Sequence, residues 1–165
     1  DIGTIINNKQ FTKVCNYVDE GLKRADARLV FGGLPPKSGP LSEGYYAVPT
    51  VFADRSNDWR LAREEIFGPV LVAIRWSDEA EVIRMANDSH YGLAAIVYTG
   101  DEARAERVGA RLVAGTVWVN CFFVRDLRAP FGGSRDSGIG REGGTWSFDF
   151  YADVKNVVTA PRKGD

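Results

Sequence analysis

Apolar runs alternate with polar, helix-patterned segments through the middle of the chain, and this alternation constrains the fold more than any other feature. The runs and the helical patterns between them occupy residues 70–76, 78–88, 92–99, 101–112 and 115–120. Near-continuous apolar strands joined by helices predict a β-α-β-α-β unit, with a mainly parallel sheet covered by helices on both faces. Asp78 and Asp101 are expected to cap the two helices, because an aspartate accepts hydrogen bonds from free first-turn amides. The predicted fold class is α/β.

Further elements are predicted on both sides of this unit. Apolar residues at spacings of three and four predict an amphipathic helix over residues 9–25; they are Phe11, Val14, Cys15, Val18 and Leu22. A short strand is expected at residues 28–31, and the dense Gly, Pro and Ser content of residues 32–44 predicts a surface loop. The V-K-N-V-V-T-A segment at residues 154–160 predicts a strand whose edge must pair with another strand.

The charge balance argues against several classes of partner. The 165 residues include 21 Lys and Arg and 22 Asp and Glu, for a net charge of −1, so no overall field attracts nucleic acid or an anionic membrane. Cys15 and Cys121 lie far apart and outside any C-x-x-C pattern, which argues against a disulfide framework and a zinc site. No apolar run approaches the roughly 20 residues that span a bilayer. A cytoplasmic protein without a bound metal is expected.

The stretch after Asn120 is the predicted ligand-binding region. Ligands of parallel α/β sheets bind at loops that leave the carboxyl ends of strands, and residues 121–144 interleave aromatic residues, arginines and glycines. The R-D-L-R segment at residues 125–128 is either a surface ion-pair cluster worth under about 1 kcal/mol, or its first member, Arg125, binds a substrate carboxylate bidentately in a partly apolar pocket. The phenylalanines that flank Arg125 in this interpretation are Phe122, Phe123 and Phe131.

A second candidate site lies just before the first apolar run. Glu64 and Glu65 are adjacent, and Phe67 follows two residues later. In one interpretation both carboxylates are solvated charges at a helix end. In the other, one carboxylate accepts two hydrogen bonds from a ribose diol while the phenyl ring packs beside the bound group. The spacing alone does not separate the two.

The remaining candidates have structural interpretations. A G-x-G-x-x-G pattern occurs at Gly138, Gly140 and Gly143. No strand leads directly into it and no acidic residue follows at the required spacing, so a tightly packed turn in a pocket wall is expected rather than a dinucleotide loop. His90 has no metal or triad partner nearby and is interpreted as a turn residue. Cys15 is assigned to the core, and Cys121 begins the candidate loop without an adjacent base.

Taken together, the motifs resemble the C-terminal third of the aldehyde dehydrogenase superfamily. They are D-I-G-T-I-I-N at 1–7, G-Y-Y-A-V-P-T-V-F at 44–52, E-E-I-F-G-P-V at 64–70, Y-G-L-A-A-I-V-Y-T at 91–99, A-G-T-V-W-V-N at 114–120, P-F-G-G at 130–133 and S-G-I-G-R-E-G-G at 137–144. The resemblance implies a parent enzyme that oxidises aldehydes with NAD or NADP. In that family a cysteine thiolate attacks the carbonyl, hydride passes to the nicotinamide, and water activated by a glutamate cleaves the thioester.

The resemblance also implies roles for single residues. Glu65 resembles the glutamate that binds the nicotinamide ribose, and Phe67 resembles the aromatic residue beside it. Phe131 resembles the phenylalanine of the aldehyde pocket, which Cys121 and Phe123 are expected to line as well.

The residue at position 125 indicates the class of substrate. An arginine there, followed by D-L-R, is similar to the branch that acts on muconate-type semialdehydes from aromatic ring cleavage, including 2-hydroxymuconate semialdehyde and its 5-carboxymethyl homologue. These substrates carry a carboxylate beyond the aldehyde, so a fixed guanidinium is expected to orient them and to disfavour plain alkyl aldehydes. Two alternatives are a dehydrogenase for another aldehyde, such as betaine aldehyde, and a non-catalytic assembly module.

The family's reactive groups are not among these residues. Its nucleophilic cysteine, general-base glutamate, oxyanion asparagine and Rossmann-like cofactor domain lie upstream of the matching segment, and neither Cys15 nor Cys121 matches the nucleophile. The chain by itself is therefore expected neither to oxidise aldehydes nor to bind NAD tightly. Residues 1–150 are assigned to the C-terminal part of the catalytic domain and residues 151–165 to an oligomerisation strand and tail, which implies a dimer or tetramer.

Overall fold

The computed structural model of the protein describes residues 2–54 and 56–161. The chain forms two compact units, Asp1–Met85 and Ala86–Asp165. Each unit has its own sheet and its own buried side chains. Among the described residues, no helix is both long enough and apolar enough to cross a membrane.

The first unit builds a three-stranded sheet around one apolar cluster. Its elements are α1 (Asn8–Lys23), β1 (Arg28–Phe31), β2 (Thr50–Asp54), α2 (Arg60–Arg63), β3 (Val70–Ile74) and the start of α3 (Glu79–Asn87). The strand order is β1-β2-β3, with β1 antiparallel to β2 and β2 parallel to β3. The buried cluster consists of Val14, Tyr17, Val18, Phe52, Trp59, Leu61 and Ile66.

Helix α1 forms close to where the apolar spacing predicts it. Asn7 caps it by accepting a hydrogen bond from the Gln10 amide at 2.9 Å, and the extended backbone of Arg24 ends it two residues before the predicted end. Its buried residues are Val14, Tyr17, Val18 and Gly21. The prediction for Leu22 is wrong, since that side chain is exposed. Gly21 faces the core instead, because a Cβ there would meet the Phe52 ring at 2.6 Å.

The second unit contains two parallel strands joined by a helical crossover. Its elements are β4 (Ala94–Val97), α4 (Glu102–Arg111), β5 (Thr116–Val119) and α5 (Trp146–Tyr151). β4 and β5 pair in parallel, from Ala94 opposite Thr116 to Val97 opposite Val119, and α4 packs against both strands. Both predicted aspartate caps are confirmed: Asp78 accepts from the Glu81 amide at 2.9 Å and Asp101 from the Arg104 amide at 3.0 Å.

The strands β3, β4 and β5 form where the sequence predicts them. β3 pairs with β2 in the sheet of the first unit, and β4 pairs with β5 in the sheet of the second unit. The prediction that β3 is covered on both faces is wrong, because its alternate residues are exposed, with Leu71 at 59%. Residues 154–160 form no strand, and Val154 and Val158 are 96% and 84% exposed. A strand requires a partner backbone, and the described residues supply none for this segment, so its pairing with a strand of another subunit stays a prediction.

Candidate functional site

Arg125 lies in the second unit against the two residues of a small backbone bridge. Phe131 and Glu142 exchange two backbone hydrogen bonds, at 2.7 and 2.8 Å. The Arg125 guanidinium carbon lies 4.1 Å from the centre of the Phe131 ring, and its Nη2 lies 3.5 Å from Glu142 Oε1. Cation–π and ionic contacts therefore fix the side chain from two sides. The predicted proximity of Arg125 to Phe131 is confirmed.

Apart from its ion pair with Glu142, the Arg125 guanidinium has no polar partner among the described residues. Arg125 donates no hydrogen bond to any residue in the described part of the protein, and its side chain is 33% exposed. A guanidinium has five N–H donors in a planar fork that matches a carboxylate. Arg125 is thus held in place with donors available to a ligand.

The second arginine of R-D-L-R behaves differently. Arg128 grips Asp126 through three contacts, with Nε to the two carboxylate oxygens at 3.0 and 3.2 Å and Nη2 to Oδ2 at 2.6 Å. These hydrogen bonds lower the pKa of Asp126 and raise the pKa of Arg128. The surface ion-pair interpretation is therefore confirmed for Arg128, whereas Arg125 does not take part in that pair.

Two other aromatic residues of the loop, Phe122 and Phe123, pack on strand β5. Phe122 and Phe123 contact the Trp118 ring of β5, with ring centres 5.8 and 6.1 Å away, and contact each other at 5.7 Å. Trp118 Nε1 donates to the Val124 carbonyl at 2.8 Å. In the described part of the chain the cation–π contact of Arg125 is to Phe131, so the expectation that Phe122 and Phe123 also flank Arg125 stays a prediction. Cys121 is half-buried at the start of this turn.

Glycines form the wall beside the cluster. A hollow of about 470 Å³ is lined by Phe131, Gly138, Gly140, Glu142, Phe150 and other residues of the same unit. The prediction that the G-x-G-x-x-G segment forms part of a pocket wall is confirmed for its first two glycines. The third, Gly143, has φ +95°, and a Cβ there would meet the Ala129 carbonyl oxygen at 2.2 Å.

In the first unit, the structure separates the roles of Glu64 and Glu65. Glu64 accepts hydrogen bonds from the Tyr17 hydroxyl and from Arg60 Nε, the latter at 3.0 Å. The Glu65 carboxylate is exposed and has no hydrogen-bond or ion-pair partner among residues 2–54 and 56–161. Phe67 is 71% exposed, has φ +56°, and borders a hollow of about 690 Å³. Glu65 is therefore the carboxylate that remains available.

The paired state of Glu64 predicts a pH effect on stability. Hydrogen bonds from Tyr17 and then from Arg60 lower the pKa of Glu64 below its ordinary value of 4.5. A carboxyl with a depressed folded-state pKa contributes stability above its unfolded pKa and loses that contribution as the pH falls through the folded value. We therefore expect the free energy of unfolding to drop below pH 4.5, less steeply in Glu64→Gln.

Urea titrations of the chain between about pH 3 and 6 measure this contribution, a range that brackets carboxyl titration. Glu65→Gln is the matched control, since it alters the neighbouring carboxylate, which has no partner in the described residues, and should keep the wild-type slope. If the free energy of unfolding depended on pH equally in Glu64→Gln and wild type, the expectation would be contradicted.

The interpretation of His90 as a turn residue is confirmed: it lies in an exposed bend, where its carbonyl accepts from the Asp136 amide at 3.1 Å. The assignment of Cys15 to the core is only partly met, since it is half-buried on α1 and does not belong to the buried cluster. Burial raises the pKa of its thiol. Sequence reasoning missed Glu142 and Tyr17. Tyr17 had a usable signal in its spacing of three from Val14, whereas nothing in G-R-E-G-G identifies Glu142 as the neighbour of Arg125.

Comparison with known proteins places the chain in one family. The family model described as "Aldehyde dehydrogenase family" matches residues 1–157. Betaine aldehyde dehydrogenase of Brucella anthropi is 43% identical over 164 residues, which are 99% of this chain and 34% of that protein. A 2-aminomuconic 6-semialdehyde dehydrogenase of a Pseudomonas species is 44% identical over 156 residues, which are 94% of this chain and 32% of that protein.

The same similarity extends to three-dimensional structure. An aldehyde dehydrogenase from Bacillus cereus, solved as an NAD+ complex, superposes with a TM-score of 0.86 at 42% identity, over 94% of this chain and 30% of that one. The chain spans about a third of the length of the curated relatives it matches. The α/β class with parallel strand pairs and packed helices agrees with that likeness. The chain therefore belongs to the aldehyde dehydrogenase family.

Proposed function

We propose that this chain is the C-terminal part of the catalytic domain of an NAD(P)-dependent dehydrogenase that oxidises a carboxylate-bearing semialdehyde to the acid. The observation that carries the proposal is the state of Arg125: fixed against Phe131 and Glu142, partly exposed, and with no hydrogen-bond acceptor among the described residues. Two parallel N–H···O bonds from such a fork bind a carboxylate with defined orientation. The aldehyde at the other end of the substrate is then held at a fixed distance from the Arg125 guanidinium.

Charge separates the two substrate types suggested by the relatives. Betaine aldehyde carries a quaternary ammonium, which has no lone pair to accept a hydrogen bond from the Arg125 guanidinium. A semialdehyde acid carries a carboxylate, which the same group attracts. The name of the Pseudomonas relative contains a semialdehyde of the muconate type, which agrees with the second case. Semialdehydes of aromatic ring cleavage are therefore the substrate class that we assign to the complete enzyme.

Glu65 and Phe67 fit a nicotinamide cofactor. An unpartnered carboxylate accepts two hydrogen bonds from a ribose diol, and an exposed phenyl ring beside it shields one side of the bound group. The cofactor supplies the hydride acceptor for aldehyde oxidation. Support for NAD(P) comes from the Bacillus cereus relative, which was solved with NAD+.

The two cysteines are not assigned to the nucleophile. The pKa of Cys15 is raised by burial, so its thiol is less readily converted to the reactive thiolate. Cys121 is assigned to the substrate pocket together with Phe123. Aldehyde-dependent NADH formation by the 165-residue chain alone would overturn this part of the proposal.

The segment 154–160 is assigned to subunit pairing. Its valines are almost fully exposed, with Val154 at 96%, and the backbone forms no strand within the described residues. An apolar segment with unused backbone donors and acceptors is a template for pairing with another chain. A second copy of the enzyme, in a dimer or tetramer, is the proposed partner, and a monomeric complete enzyme in sizing experiments would contradict it.

A substrate panel tests the proposed specificity. The complete enzyme is assayed with NAD and with NADP against a semialdehyde acid, betaine aldehyde and a neutral alkyl aldehyde of equal length. We expect kcat/KM to be highest for the semialdehyde acid, by about tenfold or more, because one charge-assisted hydrogen bond contributes on the order of 1.5–3 kcal/mol. A preference for betaine aldehyde would reject the carboxylate role of Arg125.

A further inference from the structure

We propose that one polar face of α1 pre-organises the cofactor-contacting segment 64–67, and that the Tyr17 hydroxyl is a positioning residue for Glu65. This inference rests on the proposed cofactor role of Glu65. It extends that role to a helix whose sequence pattern indicated only core packing.

The face consists of Gln10, Lys13 and Tyr17, which lie at spacings of three and four and therefore on the same side of the helix. Each of them holds a different part of the segment. Gln10 Nε2 donates to the carbonyls of Ile66 and Phe67 at 2.8 and 3.0 Å. The helix therefore runs antiparallel to segment 64–67, with its first turn at Phe67 and later turns at Glu65 and Glu64.

Lys13 and Tyr17 are the other two residues of this polar face. Lys13 Nζ donates to the Glu65 carbonyl at 3.3 Å, and the Tyr17 hydroxyl donates to Glu64 Oε2. Every residue from Glu64 to Phe67 is therefore held by α1, through its backbone or side chain. The Glu65 carboxylate and the Phe67 ring are left outside these contacts.

Tyr17 connects this polar face to the buried core. It is 1% exposed, and its hydroxyl also accepts from Arg60 Nη2 at 3.0 Å. The Arg60 guanidinium stacks on the Tyr17 ring at 4.2 Å and donates from Nε to Glu64 at 3.0 Å. Tyr17, Arg60 and Glu64 therefore form a closed network in which each member contacts the other two. Networks of this kind restrict side-chain and backbone motion more than isolated pairs do.

These contacts fix the backbone of Glu65, while its carboxylate has no partner among the described residues. Phe67 is held with φ +56°, a conformation that a non-glycine residue keeps only when its surroundings impose it. Ordering this segment before the cofactor arrives removes an entropic cost from binding. Loss of the Tyr17 hydroxyl should therefore weaken cofactor binding through Glu65 without any contact between Tyr17 and the cofactor.

The test is a double-mutant cycle on equilibrium NAD binding by the complete enzyme, measured by calorimetry. Tyr17→Phe keeps the buried ring and its stacking on Arg60 and removes only the hydroxyl. We expect it to weaken the Kd for NAD about fivefold in the wild-type background, a part of what one hydrogen bond to a charged group contributes. In the Glu65→Gln background it should change Kd by less than about twofold, because coupled residues give non-additive effects.

Tyr45→Phe is the matched control, since the Tyr45 hydroxyl has no hydrogen-bond partner among the described residues, and its Kd should equal that of wild type. Equal weakening by Tyr17→Phe in both backgrounds, or none in wild type, overturns the inference alone. No effect of Glu65→Gln on Kd overturns both the cofactor role of Glu65 and the inference. Should Tyr17→Phe fail to fold, Arg60→Met breaks the same network at a half-exposed position, and the same non-additivity is required.

Discussion

Replacing Arg125 with alanine in the complete enzyme is expected to raise KM for a semialdehyde acid about 100-fold and KM for a neutral aldehyde less than about twofold. The loss corresponds to about 2.7 kcal/mol, within the range, on the order of 1.5–3 kcal/mol, for one charge-assisted hydrogen bond and hence the least expected of a bidentate pair. A neutral aldehyde offers nothing to the guanidinium fork, so its binding depends on the apolar wall around Phe131. Steady-state kinetics with the two substrates measure the difference.

Two variants sharpen this prediction. Arg128→Ala removes the same side chain three residues further on, but that guanidinium is 88% exposed and already bound to Asp126, so KM for both substrates should stay within about twofold, as for other surface ion pairs. Arg125→Lys keeps the charge without the planar fork and should recover only part of the loss. Equal losses on the acid and the neutral aldehyde in Arg125→Ala would show a packing role instead.

The contrast between paired residues marks the limit of what the sequence predicts about the site. Glu64 and Glu65 are adjacent and chemically identical, and Arg125 and Arg128 share one four-residue segment. Their roles diverge through their partners, which come from distant positions. Tyr17 is 47 residues from Glu64. Periodicity describes which face of an element is buried, but not which distant side chain will meet a given carboxylate.

The fold shows the same division between local and long-range information. The helices and strands between residues 70 and 119 form where apolar periodicity predicts them, because that signal is local. Strand pairing is not local: β3 pairs with β2, whose five residues carry no distinct alternation, across a connection that contains α2. The segment 154–160 has strand composition but no strand, because backbone pairing depends on a partner that the described chain does not provide.

The position of Phe131 depends on a close approach of three backbone segments. The Gly92 carbonyl accepts from the Gly115 amide at 3.0 Å and from the Ser134 amide at 2.9 Å. The chain through Gly132 passes directly over Gly115, where a Cβ would lie 1.6 Å from the Gly132 carbonyl oxygen. No side chain fits between these two backbones. The glycine of A-G-T therefore allows the P-F-G-G segment to lie against the start of β5.

Gly115→Ala is accordingly expected to destabilise the protein by at least about 3 kcal/mol, the upper end of the usual cost of overpacking, because the obstacle is backbone and not a flexible side chain. A urea titration of the complete enzyme measures this as a lower midpoint with an unchanged slope. Gly100→Ala is the matched control: nothing lies within 4 Å of its Cβ position, and its stability should stay within about 0.5 kcal/mol of wild type. Because Phe131 precedes Gly132, any folded Gly115→Ala enzyme should also bind the semialdehyde acid more weakly. Wild-type stability in Gly115→Ala would contradict the proposed contact between the two segments and, with it, the placement of Phe131 beneath Arg125.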